Sequence, residues 1–285
     1  MRKRTVIAIS ADKHSGSSLG LMKPEPMQLH DGGTYIPSAL QKKIWTQYSE
    51  CLFFIKEERK RSRLIWIENG DLTEGVHHGT TQITTSRTDE HEQIAVDILE
   101  HTFNYLKFNK SKGDLAYIMA GTETHSGIGS RAEENIARDI EEWGIVPKNK
   151  ARYTWDRLLL KVNGILFDIA HHGGSVGRRA WTTNNGMHNL VKSLYFQHLE
   201  DETKIPRYFI RSHLHKYAYG QYKGKRGEIE GFVTPSFQFK TGYAYRVAGS
   251  QLSDIGMVII VIEKDGRCWH KIIKNSYAQD ETQVV

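Results

Sequence analysis

Short, almost continuously apolar runs alternate along the chain with longer segments whose apolar residues recur at helical spacing. Continuous apolar runs are typical of strands buried on both faces. Five such strands are predicted, at Thr5–Ser10, Leu64–Ile67, Leu115–Ala120, Ile165–Ala170 and Tyr208–Ile210. Helices are predicted at Ser38–Arg61, Thr88–Asn109, Ser130–Trp143 and Met187–Leu199. This alternation predicts an α/β fold for the first two-thirds of the chain.

Two of these helices begin with the sequence of a capping box, in which a Ser side chain and the side chain three residues later each accept a backbone N–H. The pairs are Ser38 with Gln41 and Ser130 with Glu133.

The last third of the chain has a different pattern, with strand-like runs in close succession. They are Tyr217–Tyr222, Gly231–Thr234, Ile255–Ile262 and Cys268–Ile273. We therefore expect a second, more antiparallel sheet that packs on the first. Because no repeat or linker marks a boundary, residues 1–285 are expected to form one domain.

Each of the five predicted buried strands is followed directly by His, Asp or Glu residues. In order along the chain these are Asp12 and His14, then Asp71, then Glu123 and His125, then His171 and His172, then His213 and His215. Ligand sites of α/β proteins lie at the carboxyl ends of strands. We therefore expect these side chains to converge on one crevice.

A mixed set of carboxylates and imidazoles suits Mn, Fe or Zn better than Mg or Ca. Two ions held together need a carboxylate between them, and Asp71 in its Asn-Gly-Asp turn is the candidate. Two-metal sites generate hydroxide near neutral pH and clamp the oxygens of a displacement at phosphorus. The sequence thus predicts two divalent cations, with Mn preferred, and phosphoester hydrolysis.

In this order the motifs resemble those of the calcineurin-like metallophosphoesterases: Asp-x-His, Gly-Asp, Gly-Asn-His-Glu or -Asp, a lone His and Gly-His-x-His. The resemblance spans residues 12–215 and implies a two-sheet αββα sandwich and hydrolysis of a phosphomonoester or phosphodiester by metal-bound hydroxide. It implies one metal on Asp12, His14 and His215, a bridging Asp71, and a second metal on His172 and His213. His172 is preferred over His171 because His-Gly-Gly occurs at this point in family phosphatases.

Two motifs depart from the family pattern. The third, Gly-Thr-Glu-Thr-His, lacks the metal-binding Asn, so we expect Glu123 to replace it and His125 to protonate the leaving group. The fifth begins with Ser212 instead of Gly and keeps both histidines. These variants resemble the phage or prophage branch of the family, whose substrates are poorly defined.

Three residues outside the motifs are candidates for substrate binding. His77 lies in the loop after Asp71, and Arg178 and Arg179 follow the His172 loop, where a guanidinium suits phosphate oxygens. Surface histidines and a solvated arginine pair are the alternatives.

The balance of 39 Lys and Arg against 33 Asp and Glu gives a net charge of +6, which suits an anionic partner such as a phosphoester or nucleic acid. Aromatic and basic residues interleave at Tyr208–Tyr222 and Phe237–Arg246, as in single-strand nucleic-acid surfaces or in ordinary packed sheets. A nuclease acting on DNA or RNA and a non-catalytic, metal-stabilised binding module are therefore the alternatives.

No run reaches the roughly 18 apolar residues of a membrane span. Cys51 and Cys268 lie too far apart in sequence for a metal-type spacing. We expect a soluble, cytoplasmic protein with reduced cysteines and no membrane partner.

Overall fold

The computed structural model describes residues 3–247 and 252–277. The strands are β1 (Thr5–Ser10), β2 (Met27–Gln28), β3 (Thr34–Tyr35), β4 (Arg63–Glu68), β5 (Leu115–Ile118), β6 (Leu158–Val162), β7 (Ile165–Ile169), β8 (Tyr208–Arg211), β9 (Ala218–Gly224), β10 (Gly227–Val233), β11 (Asp254–Ile262) and β12 (Cys268–Ser276). The helices are α1 (Ala39–Arg59), α2 (Thr88–Tyr105), α3 (Glu123–Ser126), α4 (Arg131–Asp139), α5 (Asn185–Glu200) and α6 (Gly242–Val247).

Most strands belong to two five-stranded sheets, and β2 and β3 form a separate small hairpin. The first sheet has the order β12-β11-β1-β4-β5, in which β1, β4 and β5 are parallel. The second has the order β6-β7-β8-β10-β9, in which β7, β8 and β10 are parallel. The predicted mixed α/β class is confirmed.

The division of strands between the sheets differs from the sequence prediction. Strands β7 and β8 belong to the second sheet, whereas β11 and β12 return to the first, where β11 pairs antiparallel with β1. All nine residues of β11 are buried, so this strand needs cover on both faces and lies inside the sheet. β12 alternates between partly buried and exposed residues and forms the edge.

Three clusters of buried residues define the layers. Because side chains alternate across a strand, Val6 and Ala8 of β1 pack with α1 and α2, whereas Ile7 and Ile9 pack against residues of the second sheet. The third cluster joins α5 to the other face of the second sheet. Within the described ranges, no helix combines the length and apolar composition needed to cross a membrane.

One predicted capping box is present and the other is wrong. Ser38 accepts the backbone N–H of Gln41 at 3.1 Å, and the Gln41 side chain accepts the N–H of Ser38 at 2.9 Å. Ser130 instead has a left-handed backbone with φ 57° and makes no side-chain cap. Glu133 is directed elsewhere and accepts a hydrogen bond from Ser126 Oγ at 2.6 Å.

Candidate metal centre

The loops after β1, β4, β5, β7 and β8 meet at the carboxyl ends of the parallel strands of both sheets. Four overlapping groups of side chains there have potential ligand atoms within 4.8 Å of one another. They are Asp12–His14–His215, Asp12–Asp71–His171, His171–His172–His213 and His14–Glu74–His125. The structure thus contains candidate metal-binding clusters, and it brings together residues from all five predicted loops.

We call Asp12, His14 and His215 the first donor group. The Nε2 atoms of His14 and His215 are 3.0 Å apart, and His215 Nε2 is 3.4 Å from Asp12 Oδ1. Asp12 and His14 are buried, and Asp12 Oδ1 has no hydrogen-bond partner among the described residues. A buried carboxylate oxygen is costly without a donor or a cation. The donor set and the unpartnered oxygen together fit a divalent cation.

Glu74 holds one member of this group in place. Its Oε2 is 2.9 Å from His14 Nδ1 and accepts a hydrogen bond from Gln238 Nε2 at 2.7 Å. A carboxylate on one ring nitrogen of a histidine fixes the tautomer and leaves the other nitrogen for a metal. Glu74 was not predicted as a site residue, although it lies only three residues after Asp71 in the same loop.

We call Asp71, His171, His172 and His213 the second donor group. His171 Nε2 is 3.0 Å from Asp71 Oδ2, and His213 Nδ1 is 3.8 Å from the same oxygen. His171 Nε2 also lies 3.9 Å from Asp12 Oδ1, which joins the two groups. Asp71 is buried, whereas the His213 side chain is 40% exposed.

The two adjacent histidines are placed differently. His171 is buried and donates its Nδ1 proton to the Asn69 carbonyl at 2.6 Å, so its Nε2 faces Asp71. His172 is exposed, and its ring centroid is 4.5 Å from that of His213. Both rings belong to the second donor group, and the preference for His172 over His171 stays a prediction.

Asp71 and His171 shift the pKa of one another. Burial disfavours ionisation of Asp71, but the charge of His171 and its hydrogen bond outweigh this and hold the pKa of Asp71 well below its usual value. Burial likewise disfavours the imidazolium of His171, yet Asp71 raises the pKa of His171 to about 9. The carboxylates therefore attract positive charge, and a metal would compete with protons for these ligands.

The residue at the centre of the second donor group is Thr122. Its Oγ1 lies 3.1 Å from Asp71 Oδ2 and 3.2–3.4 Å from ring nitrogens of all three histidines of the group. Its backbone N–H donates to Asp71 Oδ1 at 2.6 Å. Glu123 was predicted as the ligand at this place, but it is exposed at the start of α3 and belongs to none of the four groups.

His125 lies beside the first donor group. Its Nδ1 is 2.8 Å from the carbonyl oxygen of Glu74, and its ring makes an edge contact with His14 at a centroid distance of 4.5 Å. Because a carbonyl only accepts, Nδ1 carries the proton and Nε2 is left as an acceptor. Burial, together with the charge of His14, lowers the pKa of His125 to about 4. This neutral form favours accepting a proton over donating one.

Of the three predicted substrate-binding residues, His77 contacts a residue of the centre. Its Nε2 is 3.2 Å from Glu74 Oε1. Arg178 and Arg179 are exposed. Arg179 packs its guanidinium over the Trp181 ring at 5.8 Å.

The backbone is unusual at the strand ends. Five residues of the two donor groups have positive φ, a conformation that costs free energy for non-glycine residues and is concentrated at functional sites: Asp12 (50°), His14 (47°), Asp71 (52°), His213 (72°) and His215 (50°). Adjacent loops support them, since the N–H of Asp12 donates to the Gly70 carbonyl and that of His14 to the Asp71 carbonyl, both at 3.0 Å.

Glycines allow the loops to approach this closely. A Cβ on Gly70, which has φ 87°, would lie 2.5 Å from His171 Nδ1. A Cβ on Gly121 would lie 2.5 Å from Asp71 Oδ1. Any larger residue at either position would displace a residue of the second donor group.

No protein-family model matches the chain, and no curated protein matches it. Among solved structures, the sulfate thiohydrolase SoxB from Thermus thermophilus, in complex with glycerol, aligns with a TM-score of 0.36 and 7% sequence identity. The alignment covers 95% of this chain and 56% of SoxB, so the chain spans little more than half the length of that protein. A similarity this distant carries no conclusion about fold or activity.

Proposed function

We propose that this protein is a metal-dependent phosphoesterase of the calcineurin-like type, built on a two-sheet αββα sandwich. The observation that carries the proposal is the pair of adjoining donor groups, which is joined by buried Asp12 and Asp71 and assembled from five strand ends. Positive φ at five of these residues adds independent support, because such strain persists where the surrounding structure holds it for a function.

The ligands divide between two ions. Asp12, His14 and His215 would hold the first, and His171, His172 and His213 would supply imidazoles to the second, with Asp71 between them. Imidazole and carboxylate donors suit Mn, Fe or Zn, and Mn is our first choice. When bound, two such ions activate water and neutralise charge on a phosphoester.

The chain itself orients these groups. Glu74 keeps His14 Nε2 directed at the first site, the Asn69 carbonyl does the same for His171 Nε2, and the N–H of Thr122 holds Asp71 Oδ1. The exposed face formed by His172 and His213 is where a substrate phosphate would approach. Arg178 and Arg179 lie on the loop that carries His172 and would bind the charged group of the substrate.

The test is turnover and metal content measured on the same preparations. Protein stripped with chelator is titrated with Mn, Fe or Zn. Turnover is followed as phosphate released from a phosphomonoester, as nitrophenol released from a nitrophenyl phosphodiester, and as shortened strands from single- and double-stranded DNA and RNA. We expect activity to rise with the metal bound per chain. Full turnover in excess chelator at trace metal content would reject the proposal, and metal binding without any turnover would favour the non-catalytic binding module.

The role of His125 needs its own comparison. General acid catalysis is worth about 10²–10⁴-fold and matters most for poor leaving groups. If His125 is the acid, His125→Ala slows alkyl phosphoesters far more than nitrophenyl phosphoesters at unchanged metal content. Its neutral form in this structure favours equal, small losses on both substrates.

A further inference from the structure

A continuous line of aromatic rings leads from the candidate metal centre to the protein surface. We call it the ring path, and it consists of His14, His125, His77, His78 and Tyr243. Successive ring centroids are 4.5, 4.5, 5.1 and 4.7 Å apart. The first three contacts are edge-on, and the last, between His78 and Tyr243, is a parallel stack with an interplanar angle of 7°.

Neighbouring contacts support His78 and Tyr243, which we call the outer pair of the ring path. Glu74 is 3.2 Å from His77, which precedes His78, and His78 itself has positive φ at 50°. The N–H of Gly242 at the start of α6 donates to Gln82 Oε1 at 2.8 Å, which ties Tyr243 to the loop after β4. The chain is thus anchored at the residue that precedes each of the two stacked rings.

The outer pair is nevertheless open to solvent. Tyr243 is 40% exposed, and His78 is also exposed. Two parallel rings that are anchored yet exposed form a platform for another flat ring, because stacking buries apolar area and suits any π-face.

We propose that the His78–Tyr243 pair stacks a nucleobase of the substrate while its phosphoester lies at the metal centre. This inference rests on the phosphoesterase function proposed above and specifies its substrate as a base-bearing phosphoester. The base is supplied either by a mononucleotide or by a single-stranded oligonucleotide.

Two other segments, which follow His172 and His213, also carry exposed aromatic, basic or apolar side chains. Trp181, on the segment that follows His172, is 79% exposed beside the Arg179 guanidinium, with which it forms an aromatic–cation pair. Leu214, between the two histidines after β8, is 41% exposed. Aromatic rings for bases and guanidinium groups for phosphates are the combination used by proteins that bind single strands. The net charge of +6 attracts the same polyanion.

The experiment compares substrates that differ only in the base. One pair is adenosine 5′-monophosphate and ribose 5-phosphate, and the other is a single-stranded oligonucleotide and its abasic counterpart. The readout is the ratio of kcat/KM with base to kcat/KM without base. Stacking by one base corresponds to about a 5- to 150-fold effect. We expect Tyr243→Ala and His78→Ala to lower this ratio within that range, and Tyr243→Phe to preserve it.

Phe53→Ala is the matched control, since Phe53 is 58% exposed on α1 and tests the general effect of removing a surface ring. An unchanged ratio in Tyr243→Ala, with its thermal unfolding midpoint equal to that of the wild type, would overturn the proposal. A lowered ratio for the monophosphate pair alone assigns the site to mononucleotides, and one for the oligonucleotide pair alone assigns it to single strands.

Binding in excess chelator separates this inference from the phosphoesterase function. Fluorescence anisotropy of a labelled oligothymidine does not require metal or turnover. If the wild type has no phosphoesterase activity but Tyr243→Ala raises the Kd at least about fivefold, the phosphoesterase function fails and the stacking site stands. Equal Kd values for the wild type, Tyr243→Ala and Tyr243→Phe would reject stacking of single strands even in an active enzyme.

Discussion

The two donor groups share one crevice but differ in how they are built. In the first group, the Asp12 and His14 side chains are at most 2% exposed, and the carboxylate of Glu74 orients His14 from behind. In the second group, His172 is exposed, the His213 side chain is 40% exposed, and a threonine hydroxyl lies at the centre. The His215 side chain is 22% exposed, and Asp71 and His171 of the second group are buried. The first group is therefore the more enclosed of the two, and the second is open only on the side of His172 and His213.

This difference predicts unequal metal affinity. In the first group, buried ligands are oriented by an additional carboxylate, that of Glu74. Such ligands bind a cation more tightly than the exposed imidazoles of the second group, which surround the neutral hydroxyl of Thr122. We expect the first site to fill at lower metal concentration and the second to exchange with solvent and to meet the substrate. Three predictions test the two metal sites, and a fourth tests the buried charge beside the second group.

The largest effect is expected for Asp71→Asn. Asp71 lies between the groups, and a neutral amide cannot balance two cations. The substitution removes several kcal/mol of charge stabilisation, and about 1.4 kcal/mol of activation free energy corresponds to a factor of ten in rate. We expect kcat to fall about a thousandfold and metal analysis to show loss at both sites. Asp265→Asn, at an exposed turn, is the matched control. Two metals per chain and a near-normal rate in Asp71→Asn would place the bridge elsewhere.

The second prediction concerns Glu133, which lies under the second group. Burial raises the pKa of Glu133 from 4.5 to about 7, and the nearby charge of Asp71 adds to this. Between these two pH values the folded protein holds a proton that the unfolded chain releases, so stability falls as pH rises through this window. The loss is about 3 kcal/mol.

Glu133→Gln should remove this pH dependence. Urea unfolding in chelator at pH 4.5 and pH 7.5 measures it, and the difference between the wild type and the variant isolates the contribution of this one group. Parallel pH profiles for the two proteins would show that Glu133 is not protonated in the folded state.

The third prediction tests the enclosure of the first group. Glu74→Gln replaces the carboxylate on His14 Nδ1 with an amide, and such changes behind a ligand cost about 10–100-fold in metal affinity. Competition with a chromogenic chelator should show this loss at the tighter site. Glu58→Gln is the control, because Glu58 forms an ion pair with Arg4 away from the centre. Loss confined to the weaker site would reverse our assignment of the two groups.

The smallest effect is expected at the third motif. Thr122→Val removes the central hydroxyl with little change in shape. It should lower the affinity of the second site for its metal about tenfold, which is the lower limit of the losses seen when residues that contact the ligands are changed. Glu123→Gln should leave metal content within about twofold, because Glu123 is exposed and outside the cluster. The reverse order of effects would restore Glu123 as the ligand.

Much of the fold could be predicted from the sequence because a buried strand is recognisable from its own short apolar run. The predicted strand Thr5–Ser10 matches β1 at both ends, and the helix capped by Ser38 begins where expected. β6 was missed although it begins with three successive leucines, and only its first and last residues are buried. The pairing of strands was less accessible, since β11 joins β1 across more than 240 residues of sequence.

The sequence by itself determined which residue types follow each strand, and therefore the candidate donors Asp12, His14, Asp71, His213 and His215. Only the tertiary structure decided what surrounds them. It placed Thr122 rather than Glu123 at the centre, buried His171 beside Asp71, and set Glu74 behind His14. The physical reason is that a strand end is a local property of the chain. The direction of each side chain depends on left-handed turns and on contacts between loops from two different sheets.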